Sequence, residues 1–293
     1  MRTINLKQSS LNKEWAMQFV DESHYDTLYN ESVKIYKPDG SPLLVLLKQA
    51  IDVDKAELAW SALKKFNSKT ENRSTSSGIC ASPRKKKDGT ISQTTRVPKG
   101  WEAVSGIVGY FERIVRQPYC HSCSWNMKHP EEFAKMLPML KQTTGLFAEH
   151  VHDRYQVQKR YVDQTHKDFV IPETVYTTVT VNKNYRTACH LDAGDLASGF
   201  SNMIYLQDGL IGGGYLVLPN WRVAVQLGHL DLVMFDAHEW HGNTQVVPLT
   251  KGATRCTLVC YYREKMVHCK SATEELLICK NRKPGQPLFP ESK

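Results

Sequence analysis

A histidine and a carboxylate stand two residues apart, as His190 and Asp192, in the segment ACHLDAGD. In extended chain, side chains two apart share a face, so both groups can reach one metal ion. A third ligand can come from a distant strand. The segment DAHEWHGNT, after the apolar run HLDLVMF, offers His238 and His241. Two histidines and one carboxylate on one side of a metal make the facial triad of non-haem iron(II) oxygenases, with the opposite positions open. His-x-Asp alone is common in proteins. The order of the segments gives it weight: a strand, the pair, further strands, then a histidine at the end of an apolar strand. His241 is the preferred third ligand, because Gly242-Asn243-Thr244 and then Val246-Val247-Pro248 can begin the return strand. His238 stays in competition, otherwise as a wall residue of the pocket or a support for a ligand.

Arg255 follows His241 by fourteen residues and opens the alternating segment RCTLVCYY. There it shares a face with Thr257, Val259 and Tyr261. A buried arginine at that place suits the far carboxylate of a dicarboxylate cosubstrate, which it grips with two parallel hydrogen bonds.

The elements that must position these groups are legible from periodicity. Residues 33–47 read as a hairpin around the turn Pro38-Asp39-Gly40-Ser41. Residues 52–66 read as a helix with Asp52 as its N-cap. Pro130 to Arg160 is the longest helical stretch, with Pro138 expected to divide it. From 174 the texture changes to strands: TVYTTVTV at 174–181, then about 201–207, 214–218, 222–227, 230–235 and 255–262. Short strands with regular turns mean a sandwich or barrel. The expected organisation is an N-terminal hairpin and helix region (1–100) with a basic loop at 67–100, a core (101–266) and a polar tail (267–293).

An apolar fraction of 41 % and a charged fraction of 23 % exclude wholesale disorder. No run of 18 apolar residues is present, so no membrane span is expected, and the N-terminal residues lack a signal-peptide core. This reading places the chain inside the cell, cytoplasmic or nuclear, with its eight cysteines as thiols. The net charge of +8 sits in one window. Between Lys64 and Lys99 ten basic residues face only Glu71 and Asp88, which is itself +8. Arg84, Lys85, Lys86 and Lys87 are its densest part. Such a stretch suits a polyanion such as DNA, and suits equally a solvated loop or a nuclear signal.

Taken together, TVTVNKNYRTACHLDAGD, GGGYLVLP, HEWHGNT and TRCTLVCYY resemble the TET/JBP dioxygenases, the J-binding-protein branch and its phage relatives more closely. The likeness covers roughly 100–265. It implies an α/β chain with a double-stranded β-helix core, iron(II), 2-oxoglutarate, dioxygen, and oxidation of the methyl group of a 5-methylpyrimidine in DNA. Position by position it implies His190, Asp192 and His241 as iron ligands, and Arg255 as the 2-oxoglutarate anchor with Thr257 beside it. Arg186 would lie near the other end of the cosubstrate. Asp195 and Tyr261 would contact a flipped base. At Arg263 the chain departs from the pattern, since methylcytosine oxidisers usually have histidine there.

Chemistry gives the base contacts an independent sense. A methyl group inside a duplex is out of reach of a buried metal, so the nucleotide must leave the stack. An ionised Asp195 would accept from cytosine N4, which favours methylcytosine, whereas the branch resemblance favours thymine. The chain is expected to act as a monomer. Two rival readings are a 2-oxoglutarate hydroxylase of a protein or small molecule, and a DNA-binding module without catalysis. Cys120-x-x-Cys123 with His121 resembles half a zinc site, which Cys269, Cys279 or His268 would have to complete, and ordinary thiols are the simpler reading.

Overall fold

Alternation of apolar and polar residues builds fifteen strands in the computed structural model, which describes residues 1–8, 10–68, 74–78, 104–283 and 285–289. The first five are β1 (Arg2–Asn5), β2 (Thr27–Tyr29), β3 (Val33–Tyr36), β4 (Pro42–Leu47) and β5 (Val104–Phe111). The next five are β6 (His121–Ser122), β7 (Thr178–Lys183), β8 (Ser201–Asp208), β9 (Ile211–Gly213) and β10 (Leu216–Leu218). The last are β11 (Val223–Val225), β12 (Asp231–Phe235), β13 (Gly242–Asn243), β14 (Val246–Pro248) and β15 (Thr254–Tyr261). The helices are α1 (Val53–Leu63), α2 (Ser124–Lys128), α3 (Pro130–His150), α4 (His152–Gln164) and α5 (Ala272–Asn281).

Nine strands form one sheet in the order β1-β3-β4-β12-β8-β15-β7-β5-β6. A second sheet, β13-β10-β11-β2, lies against it, and β14 pairs with β9. The two faces of the large sheet follow from the strand period of two. Val179, Ile204, Leu232, Met234 and Leu258 face the helices and meet Ala59, Leu63, Met136 and Phe147. Their neighbours Met203, Tyr205, Val233 and Phe235 face the other way, against Leu216, Leu218, Val223 and Val225 of the small sheet. Two facing sheets with helices on one outer face make the expected double-stranded β-helix architecture, and the site lies at its mouth.

Several details differ from expectation. The hairpin β3–β4, expected in an N-terminal region packed on the core, is joined to it by strand pairing: β4 runs antiparallel to β12 and extends the main sheet. Asp52 does cap α1, accepting from Lys55 N at 3.1 Å. Pro138 does not divide its helix: α3 runs through it, and the break falls at Val151. Six buried side chains, Phe133, Met136, Met139, Leu140, Thr143 and Phe147, hold α3 against the core, and tertiary packing outweighs the one backbone bond that proline removes. The strand expected from 174 begins at Thr178; Thr174 instead closes a turn through its hydroxyl to Ile171 O. The polar tail contains α5, capped by Ser271 and Glu274.

The cysteine expectation also needs correction. Cys120 and Cys269 are joined in a disulfide across 149 residues, so not all eight are thiols. Glu275 gathers the two segments, because it binds Arg113 through both oxygens and accepts from the backbone N–H of Cys120 and of Lys270. With those partners Glu275 has no lone pair for a zinc ion, and Cys123 stands apart as a buried thiol. Among the described residues, no helix is long and apolar enough to cross a membrane.

Candidate active site

After β7 the chain runs extended across the open end of the sandwich, and this stretch carries His190 and Asp192. His190 is fixed by a two-way backbone pair with His241, N–H to O at 2.9 Å and its carbonyl accepting at 3.1 Å. Asp192 N–H donates to Ala237 O at 3.0 Å. The two segments thus lie side by side, and the alternation predicted for His-x-Asp is present: Leu191 between them is 39 % exposed and turns the other way.

The side chains converge. One ligand atom from each of His190, Asp192 and His241 lies within 4.8 Å of the others. His190 Nε2 is 3.4 Å and His241 Nε2 is 4.0 Å from Asp192 Oδ1. Each imidazole donates from Nδ1 to a backbone carbonyl, His190 to Ala188 at 2.8 Å and His241 to Glu239 at 2.9 Å. Those bonds fix the tautomer and leave both Nε2 lone pairs facing the carboxylate, the arrangement a metal requires. His238 is not in the cluster. Its ring lies 3.8 Å from Asp236, one-third exposed.

Electrostatics agree with this geometry. Burial, aided by the neighbouring His190, pushes His241 down to about 4, so it is neutral at physiological pH. Burial opposes the charge of Asp192, but the imidazoles of His190 and His241 outweigh it and hold the carboxyl at about 2. The first shift has a consequence for the metal-free protein. An unfolded histidine takes its proton near 6.5, the folded His241 only near 4, so between these values the unfolded state binds more protons. Stability present above pH 6.5 is therefore lost as pH falls towards 4, by about 3 kcal/mol from this group. Urea unfolding at pH 7 and pH 4.5 checks it: His241→Gln should flatten the difference, and an equal pH dependence in both proteins would refute it.

Arg255 is buried in β15, 4 % exposed. Its Nη1 donates to Tyr185 O at 3.2 Å, and its guanidinium lies over the Tyr205 ring at 5.5 Å. Its Nε has no partner, and among the described residues no carboxylate pairs with it. Burial lowers its pKa, the sign of a cation held in a dry place. Such an uncompensated charge is costly unless a ligand anion joins it. Tyr205 escaped the sequence reading. Its signal was its place across from Thr257 in the β8–β15 register, on the face of Arg255. Thr257 itself is 2 % exposed. Arg186 is turned to the N-terminal segment, donating to Val20 O at 2.9 Å and stacking on Phe19.

Asp195 and Tyr261 meet as neighbours in a cavity lined also by Ser201, Phe200 and His238. Its free volume of about 10 Å³ admits one water, so a base enters only when the walls part. Burial first, and the charge of Asp192 second, push the Asp195 carboxyl well above its ordinary value. A larger groove of about 770 Å³ lies on the outer side of the ligand segment, where Leu191 and Trp240 point. Arg84, Lys85, Lys86 and Lys87 fall outside the described residues. So does most of the basic window, although Gly78, inside it and ahead of its densest part, packs against Ala188.

The family model of the TET/JBP oxygenases, the oxygenase domain of the 2OGFeDO superfamily, matches residues 106–264. The chain belongs to the TET/JBP family. Within it, the chain is 30 % identical over 192 residues to the bifunctional helicase and thymine dioxygenase JBP2 of Trypanosoma brucei brucei, covering 64 % of this chain and 17 % of that protein. It is also 30 % identical over 169 residues to thymine dioxygenase JBP1 of the same organism, 54 % of this chain and 19 % of that one. The chain thus spans less than a fifth of these TET/JBP relatives. Among solved structures, NgTET1 in complex with 5mC DNA superposes with a TM-score of 0.61 at 13 % identity, covering 96 % of this chain and 90 % of that one, which shows a shared fold.

The 2OGFeDO superfamily, to which the TET/JBP oxygenase domain belongs, uses iron(II) and 2-oxoglutarate, and the residues here fit both. The donor set is two imidazoles and a carboxylate, and the orphaned Nε of a buried arginine awaits an anion. One part of the support lies outside the family match. Both backbone groups of Cys189, beside His190, bond to the N-terminal arm: its N–H to Gln18 O at 2.7 Å, its carbonyl to Met17 N–H at 3.0 Å.

Proposed function

We propose that this chain hydroxylates the 5-methyl group of a pyrimidine in DNA, using iron(II), 2-oxoglutarate and dioxygen, and that the base is thymine. The observation that carries the reading is the convergence of His190, Asp192 and His241 within 4.8 Å, with both histidine Nδ1 atoms tied to backbone. In this reading these three would hold the iron, which would supply the activation of dioxygen needed to oxidise a methyl C–H bond. Arg255 takes the distal carboxylate of 2-oxoglutarate, and Tyr205 and Thr257 shape the slot around it. Arg186 serves the cosubstrate only through the segment it braces.

Asp195 and Tyr261 receive the extruded base. Tyr261, its hydroxyl 3.1 Å from Thr180 Oγ1, supplies an aromatic wall. Asp195 decides the preference. An ionised carboxylate would accept from the amino group of methylcytosine. Burial favours the neutral acid, which can donate to the O4 of thymine. The names of the 30 % identical relatives, thymine dioxygenases, point the same way. The basic residues Arg84, Lys85, Lys86 and Lys87 would add attraction for the DNA backbone.

The test is mass spectrometry of nucleosides after incubating the protein, iron(II) and 2-oxoglutarate with DNA containing both thymine and 5-methylcytosine. Hydroxymethyluracil is the expected product. Hydroxymethylcytosine alone would reverse the assignment of Asp195. Succinate release without any modified base would favour a protein or small-molecule hydroxylase.

A further inference from the structure

Beyond β5 the chain makes a two-residue reversal. Ile114 and Gln117 exchange both backbone bonds, at 2.9 and 3.0 Å, and Val115 and Arg116 form the tip. Val115 is 85 % exposed, more than any other large apolar side chain described. Arg116 beside it is exposed and makes no ion pair or hydrogen bond among the described residues.

The base of this tip is stiff. Glu112 binds Arg263 at 2.9 Å, and Arg113 binds Glu275 at 2.6 and 2.8 Å; all four are buried or nearly so. Folding gives no reason for an apolar β-branched side chain at the end of so rigid a projection. Its position gives one. The Arg263 guanidinium lies against Gly194, where a side chain would have to displace it, and its backbone bridges to Asp195. The stem of the tip therefore shares one ion pair with the loop that walls the base cavity.

Extruding a base leaves a gap in the stack, and proteins that open base steps fill such gaps with apolar side chains. We propose that Val115 is the wedge that enters the duplex where the target base leaves, with Arg116 on the adjacent phosphate. The inference rests on the DNA-oxidation reading above. A rigid stem suits the role, since a wedge on a loose loop would lose the push to conformational entropy.

The experiment compares wild type, Val115→Ser and Val115→Leu on two oligonucleotides of one sequence, with the target base paired in one and unpaired in the other. Val115 is exposed, so the variants should fold alike. On the paired substrate Val115→Ser should lower kcat/KM about tenfold, and Val115→Leu should keep most of it. On the unpaired substrate the loss for Val115→Ser should shrink below about twofold, because no stack has to be opened. Equal losses on both substrates, or none on the paired one, overturn the wedge. Oxidation of neither substrate by wild type would instead sink the DNA reading itself.

Discussion

A His241→Ala variant should lose its iron, while His238→Ala should keep it. The two histidines are three residues apart, and sequence left them in competition. Position separates them: His241 Nε2 lies 4.0 Å from Asp192 Oδ1, and its Nδ1 is spent on Glu239 O. His238 faces Asp236 instead. Loss of a mere supporting partner weakens metal binding about 10–100-fold, so loss of one of three ligands should exceed about 100-fold. Product formation should vanish with it. Iron content after anaerobic loading and desalting measures the effect. Full iron in His241→Ala, or its loss in His238→Ala, would exchange the two roles.

Arg255→Gln should raise the KM for 2-oxoglutarate steeply. Truncating one partner of a buried charge pair costs about 2–5 kcal/mol, a factor of roughly 30 to several thousand. Arg255→Lys should rescue little, because a point charge on a flexible stem cannot reproduce the two-pronged grip. The same residue should show an opposite effect on stability. Without ligand the guanidinium is a buried cation with an idle Nε, so Arg255→Met should leave the ligand-free protein as stable as wild type or more so. Ordinary 2-oxoglutarate kinetics in Arg255→Gln would remove this residue from the cosubstrate site.

The legible part of this protein was its local chemistry. His190 and Asp192 could be put on one side of the chain because a period of two is a property of extended backbone, whatever the fold around it. Arg255, Thr257 and Tyr261 share a face for the same reason. The cap at Asp52 and the turn at 38–41 are equally local. What stayed hidden depends on partners far away. Nothing near Pro42–Leu47 says that it pairs with Asp231–Phe235. Nothing near Cys120 announces Cys269, because Glu275 and Arg113 bring them together. Pro138 misled because its local cost is real but smaller than what the packed face of α3 gains. Whether Asp195 carries a charge is likewise not a local matter, since ionisation depends on burial, which one sequence does not reveal.

The bonds from Met17 and Gln18 to Cys189 bear on where this chain can be cut. The family match begins at 106, which invites a shortened chain starting near there. Such a chain would lack β4, and β12, buried along its whole length, would become a bare sheet edge. An exposed apolar edge recruits other chains, so insoluble protein is the natural outcome. Any fraction that stayed soluble would lack the arm that sets the register of His190. The folded unit is therefore larger than the part the family model recognises, and the described residues of the N-terminal segment up to 68 belong to it as much as the motif does.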